Sequence, residues 1–107
     1  MANYTYQEQE KRLTCTFSGR LDTIASIPIQ EELTKELASY RIPGQELLPI
    51  TIVFDFAEAG FISSTFIRIC VNTAKQVKSG DFSIIHCDPF IKKTFKIAGL
   101  DEILKVS

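Results

Sequence analysis

The sequence predicts an α/β fold: a mixed sheet of four to five strands, opened by an N-terminal antiparallel hairpin and packed by three to four helices. Three observations predict it. Apolar residues alternate with polar ones on both sides of a short polar link near the start; a continuous apolar run, Ile50 to Phe56, lies mid-chain; and strand-like and helix-like periods alternate from there to the end. Such an order implies right-handed crossovers and parallel strands in the interior of the sheet.

Each element has its own local signal. Tyr4 and Tyr6 alternate with polar residues, as do Leu13, Cys15 and Phe17, and Gln7-Glu8-Gln9-Glu10-Lys11 between them reads as a hairpin connection. After Ser18-Gly19-Arg20-Leu21-Asp22-Thr23, Ser26 is expected to cap a first helix with Pro28 in its first turn; Ile29, Leu33 and Leu37 then recur every four residues, and Glu31 precedes Lys35 by four. Pro43, Gly44 and Pro49 mark a loop from Arg41 to Pro49. The run Ile50–Phe56 reads as a buried strand that gives way to Ala57-Glu58-Ala59-Gly60 and then to Phe61-Ile62-Ser63-Ser64-Thr65.

A second helix is expected from about Ser64 to Ser79, with Ile67, Cys70, Val71, Ala74 and Val77 inward and Ser64, Arg68, Asn72 and Lys75 outward. Gly80-Asp81 turns into a short strand, Phe82 to His86. Asp88 caps a third helix with Pro89 at its first position, Ile91, Phe95 and Ala98 as its buried stripe and Gly99 as its stop. Ile103 to Val106 reads as a final strand.

Composition bounds the function. At 107 residues, 45% apolar and 23% charged, the chain is expected to make one domain over residues 1–107. Twelve basic residues against 13 acidic ones argue against a nucleic-acid or membrane-surface partner and favour proteins or small molecules. The N-terminus has no basic region followed by an apolar core, and no apolar run approaches the roughly 18 residues of a membrane helix, so the chain reads as complete and cytoplasmic. Cys15, Cys70 and Cys87 are far apart, have no metal-ligand spacing and read as free thiols in a reducing compartment. His86 is the only histidine, and Asp55 and Glu58 are joined by no catalytic motif. The expectation is no metal, no cofactor, no catalytic residue and no enzyme.

The chemistry the sequence does offer lies at the start of the second helix. Ser63, Ser64 and Thr65 set three hydroxyls where unpaired backbone N–H groups and the helix dipole both favour negative charge, a good place to carry a phosphate. Ser63 is the expected cap, and Ser64 begins the outward stripe.

Three blocks carry a resemblance to a known family: Phe17-Ser18-Gly19-Arg20-Leu21-Asp22, Val53-Phe54-Asp55-Phe56 through Phe61-Ile62-Ser63-Ser64-Thr65, and Ile97-Ala98-Gly99-Leu100-Asp101-Glu102-Ile103. In this order and spacing the chain resembles a STAS domain, and as a free-standing unit it is similar to the anti-sigma factor antagonists of that family. The resemblance implies a STAS-like fold and a regulatory protein that binds an anti-sigma factor or serine kinase and is switched by phosphorylation. The family's usual Asp-Ser-Ser-Gly motif falls on Ser63, Ser64, Thr65 and Phe66, with a later Gly position at Arg68. It thereby implies Ser64 as phosphoacceptor (Ser63 and Thr65 being the alternatives) and Asp22, Ser63, Ser64, Thr65, Phe66 and Arg68 as the partner-binding surface. Ser63 keeps the capping oxygen but drops the carboxylate; Phe66 and Arg68 put a ring and a cation where the family has glycine. The other reading is a ligand-binding STAS module that uses the same helix N-terminus as an anion or nucleotide site.

Overall fold

Strand order in the sheet follows chain order, because a local hairpin supplies its first pair and two helical crossovers supply the rest. A computed structural model describes residues 2–107. Its elements are β1 (Ala2–Gln7), β2 (Arg12–Leu21), α1 (Thr23–Ala38), β3 (Thr51–Ile62), α2 (Ser64–Ala74), β4 (Phe82–Ile85) and α3 (Pro89–Ile97). The four strands form one sheet in the order β1-β2-β3-β4, with β1 antiparallel to β2 and the inner pairs parallel, as the sequence predicts.

All three helices pack on one face. Two crossovers of the same hand, stepping in the same direction along a sheet, must deposit their helices on the same side. That side carries Leu13, Cys15 and Phe17 from β2, Ile52, Phe54 and Phe56 from β3, and Phe82 and Ile84 from β4, all buried. The alternate residues Thr14, Thr16, Thr51, Asp55 and Ser83 form a half-buried, hydroxyl-rich opposite face. From α1, Ile29, Leu33 and Leu37 go inward as their spacing predicts.

The core is aromatic at its centre. Phe17 meets the Phe54 ring edge-on at 4.9 Å and the Phe66 ring edge-on at 5.1 Å, while Phe56 approaches both Phe66 and Phe95. Edge-to-face pairs add to the stabilisation from burial alone. α2 and α3 are thus each pinned to β3 through one phenylalanine.

Several boundaries differ from the sequence reading, each for a physical reason. Asp22, not Ser26, caps α1: its carboxylate accepts from the Ala25 amide at 2.9 Å, and the helix starts a turn earlier. Ser26 is then buried inside the helix and donates its hydroxyl to the Asp22 carbonyl at 2.7 Å, and Pro28 lies in the helix interior, leaving the Ile24 carbonyl without its helical donor. β3 does not stop at Phe56 but continues through Gly60. Two register shifts against β2 absorb the extra residues, and the Asp55 carboxylate steadies the first by accepting from the Ala57 amide at 2.9 Å.

α2 ends at Ala74 rather than Ser79, and its buried residues are Phe66, Ile69, Cys70 and Thr73, a stripe rotated from the predicted one. Thr73 can be buried because its hydroxyl donates to the Ile69 carbonyl at 2.8 Å. Val77, beyond the helix, is buried through a bridge to Leu48. Asp88 and Pro89 open α3 as predicted and Gly99 follows its end at φ +74°, but Ala98 is exposed. The predicted last strand is a turn: Ile103 faces solvent, Leu104 goes inward, and only Val106 bridges to Ile84.

Replacing Phe66 removes the ring that ties α2 to three other phenylalanines. Phe66→Ala is expected to cost about 3–5 kcal/mol of stability, read from urea unfolding monitored by circular dichroism; a loss below about 1 kcal/mol would show that the ring is not part of the core.

Candidate functional site

β2 and β3 end together, and that sets the site. Leu21 pairs with Ile62 at the last step of their parallel register, and the Ser63 amide donates to the Leu21 carbonyl at 2.9 Å. The next residue on each strand is an N-cap, Asp22 for α1 and Ser63 for α2. The Ser63 hydroxyl accepts from the Phe66 amide at 3.2 Å, and Thr23 and Thr65 bring their hydroxyls within 3.4 Å of each other. Two helix N-termini therefore lie side by side at one end of the sheet, each with its dipole's positive end outward.

The structure separates the roles of the residues singled out by sequence. Ser63 is half-buried and holds the cap, as expected from its position. Ser64, the first helical residue, is exposed. Thr65 is half-buried and turned toward α1. Arg68 is exposed one turn beyond Ser64, and Asn72 and Lys75 continue the outward stripe. Asp22 is brought to the same end, with its carboxylate engaged as a cap. Phe66 is the correction: with 0% exposure its ring belongs to the core and presents nothing to a partner. A residue three positions after the cap is swung under the helix, so a phenylalanine here fills the space over Phe17 rather than blocking the surface.

Beside this cluster lies a groove that the sequence did not announce. It runs between α1 and α2, encloses about 380 Å³, and is lined by Ser26, Ile27, Gln30, Thr65, Arg68 and Ile69, among others. Ile27, in its lining, is 60% exposed, and Ile24, one turn earlier on α1, is 80% exposed. The signal was present in the sequence, since Ile24 and Ile27 fall off the Ile29-Leu33-Leu37 stripe, but the misplaced helix start concealed it.

Elsewhere the structure joins two residues that sequence reasoning kept apart. Parallel pairing of Asp55 with Ile85 carries His86 past the end of β4, where its Nδ1 lies 2.9 Å from Asp55 Oδ1. His86 holds a left-handed conformation at φ +61°. This contact sits on the open side of the sheet, away from the aromatic core.

All three thiols are free. Burial pushes each of them up: Cys87 to about 11, with Asp88 adding to the effect and Lys92 opposing it, and Cys15 and Cys70 further still. At neutral pH all are protonated, so none is held as the thiolate that nucleophilic chemistry requires. No group of three or more metal-ligating side chains occurs among the described residues, and no helix there is long and apolar enough to cross a membrane.

The fold as a whole has counterparts among known proteins. A model of the STAS domain matches residues 3–107. The chain belongs to the STAS domain family. Among solved structures it is similar to an anti-sigma factor antagonist from Mycobacterium paratuberculosis, with a TM-score of 0.76, 15% identity, and 99% of this chain and 85% of that one covered. It is also similar to the anti-sigma factor antagonist SpoIIAA in its unphosphorylated form, with a TM-score of 0.65, 13% identity, and 91% and 83% covered. No curated protein matches it significantly. At these identities the likeness is one of fold.

Two measurements check the site as built. Ser63→Ala should lower stability by about 1 kcal/mol through loss of the cap, whereas Ser64→Asp should leave it unchanged or raise it by a few tenths, because the acid sits at a helix N-terminus; thermal melts of the two variants should diverge in that order. For the thiols, Ellman's reagent at about pH 8 should react slowly with the folded protein, Cys87 should become reactive as the pH rises toward its raised value, and urea should expose all three at once. A thiol that reacts fully within the mixing time at pH 8 would contradict the burial described.

Proposed function

We propose that this chain is a non-enzymatic regulatory domain, a single unit over residues 1–107, that acts in the cytoplasm as an anti-sigma factor antagonist does: it binds an anti-sigma factor or serine kinase and is switched by phosphorylation at Ser64. The observation that carries the reading is the position of Ser64, exposed at the first turn of α2 directly after the Ser63 cap, beside the α1/α2 groove. Asp22, Ser63, Ser64, Thr65 and Arg68 form the polar part of the proposed surface, and Ile24 and Ile27 its apolar part.

Physical chemistry supports a switch that spares the fold. A phosphate adds about −1.5 to −2 charges. At the start of α2 it meets the helix dipole, and Arg68 follows within one turn on the same side. The domain itself is then stable in both states. The cost falls on the complex, where a partner that packs Ile24, Ile27 and the Ser64 hydroxyl against an apolar or acidic surface meets an added anion. Phe66 leaves that surface untouched, so its departure from the family's glycine weighs on the core and not on recognition.

The test is phosphorylation by the cognate kinase followed by intact-mass analysis and peptide mapping. One phosphate on Ser64, absent from Ser64→Ala, is expected, with partner affinity falling at least tenfold in the phosphorylated protein and in Ser64→Asp. Phosphate mapping outside residues 63–65, or undiminished binding by the phosphorylated form, would overturn the reading.

A further inference from the structure

α3 has two apolar sides, and only one is used by the fold. Ile91 and Phe95 face the core and are fully buried. Phe90 and Ile97, seven residues and thus two turns apart, lie together on another side with 72% and 77% of their surface exposed. Lys93 falls between them along the helix, and Lys92 and Lys96, one turn apart, lie on the other side of Lys93 around the solvent-facing surface. The helix contains no acidic residue, and no carboxylate lies within ion-pair distance of these three lysines among the described residues. In a chain whose net charge is −1, three unpaired cations on nine residues are a local excess that the whole-chain balance conceals. The Asp88 carboxylate at the helix start is engaged as its cap, accepting from the Ile91 amide at 2.8 Å.

We propose that the outward side of α3 is a docking surface for a bilayer containing anionic phospholipids. Charge complementarity and shape together select that occupant. Phe90 and Ile97 are exposed, and a hollow on this side is an open one whose walls are Pro89, Ile97 and the three lysine stems. A folded acidic protein gains affinity from pockets that receive its anchors and from fixed ion-pair partners. A bilayer interface needs neither: it accepts projecting aromatic and aliphatic side chains at the headgroup boundary, while lysines on flexible stems reach the lipid phosphates. The surface is distinct from the Ser64 end, because α3 starts from β4 and shares no residue with the α1/α2 groove. One domain can therefore rest on a membrane while the Ser64 surface stays free.

The chain has no tryptophan, so Phe90→Trp introduces a single reporter at the proposed contact. Mixed with phosphatidylcholine vesicles containing phosphatidylserine, this variant should show a blue-shifted emission and the wild-type chain should sediment with the vesicles; with phosphatidylcholine alone neither should occur. Raising the salt to about 0.5 M should release the protein, since screening then acts over a few ångströms. Lys93→Gln with Lys96→Gln should weaken partitioning about 25-fold, at about fivefold per lysine, and Ile97→Ser should weaken it too. All these positions are exposed, and unchanged circular dichroism confirms that the variants fold. Equal binding to neutral and anionic vesicles, no binding to either, or binding unchanged by the double lysine variant would overturn the proposal, as would retention by an immobilised acidic protein with no vesicle binding. Ser64 variants should leave vesicle binding unaltered, so this result and that of the kinase experiment can fail independently.

Discussion

Everything at the functional end depends on β2 and β3 ending in register. The parallel ladder closes at Leu21 and Ile62, and the Ser63 amide extends it by one more bond to the Leu21 carbonyl. That single step fixes where both helices begin, because a parallel pair sends its two chains out at the same end of the sheet. Without it, Asp22 and Ser63 would still cap helices, but the helices would not start side by side, and neither the Thr23–Thr65 contact nor the groove between α1 and α2 would exist. The two register shifts in β3 serve this end as well. They take up the two extra residues that β3 carries relative to β2, so that Ala59 and Ile62 still fall on the covered face with Phe54 and Phe56.

The aromatic core converts that backbone register into a fixed position for Ser64. Phe66 lies three residues after the cap and is locked among Phe17, Phe54 and Phe56, so the first turn of α2 is held from below by packing and from its end by Ser63. On the surface above it, Ser64 and Arg68 are exposed. Rigid support with an exposed hydroxyl and a nearby guanidinium is the arrangement expected where a charge is to be added without disturbing the domain. Phe66 is therefore a core residue that anchors the first turn of α2 through the packing of its ring.

The sequence made legible those features that depend on strong local signals. The hairpin, the Ile29-Leu33-Leu37 stripe, the Asp88-Pro89 start and Gly99 stop of α3, and the Ser63 cap are all where residue type and spacing put them, because capping oxygens, proline and glycine act over a few residues. What the sequence hid depends on long-range pairing. The apolar run ends at Phe56, yet a neighbouring strand keeps Ala57–Gly60 extended through two irregular steps. Ser26 reads as a cap, yet Asp22 captures the helix earlier and draws Ser26 inside. At the site, the exposure of Ser64 and Arg68 was readable from helical spacing; the burial of Phe66 was obscured because the predicted stripe through Ile67 and Val71 was rotated from the observed one. The groove beside Ser64 and the Asp55–His86 pair required knowing which strands and helices are neighbours.

The ladder between β2 and β3 also has a consequence for the order in which the chain folds. The hairpin of β1 and β2 closes over four turn residues and can form early, but alone it leaves one apolar side of β2 uncovered. Pairing β2 with β3 requires the chain to close the whole stretch that includes α1 and its loop, which is a slow, non-local step whose entropy is lost before its contacts are gained. The two helix starts at the Ser64 end come side by side only in that step. A nascent or partly unfolded chain can cap either helix locally, but it has no side-by-side pair of helix starts: that arrangement appears together with the core.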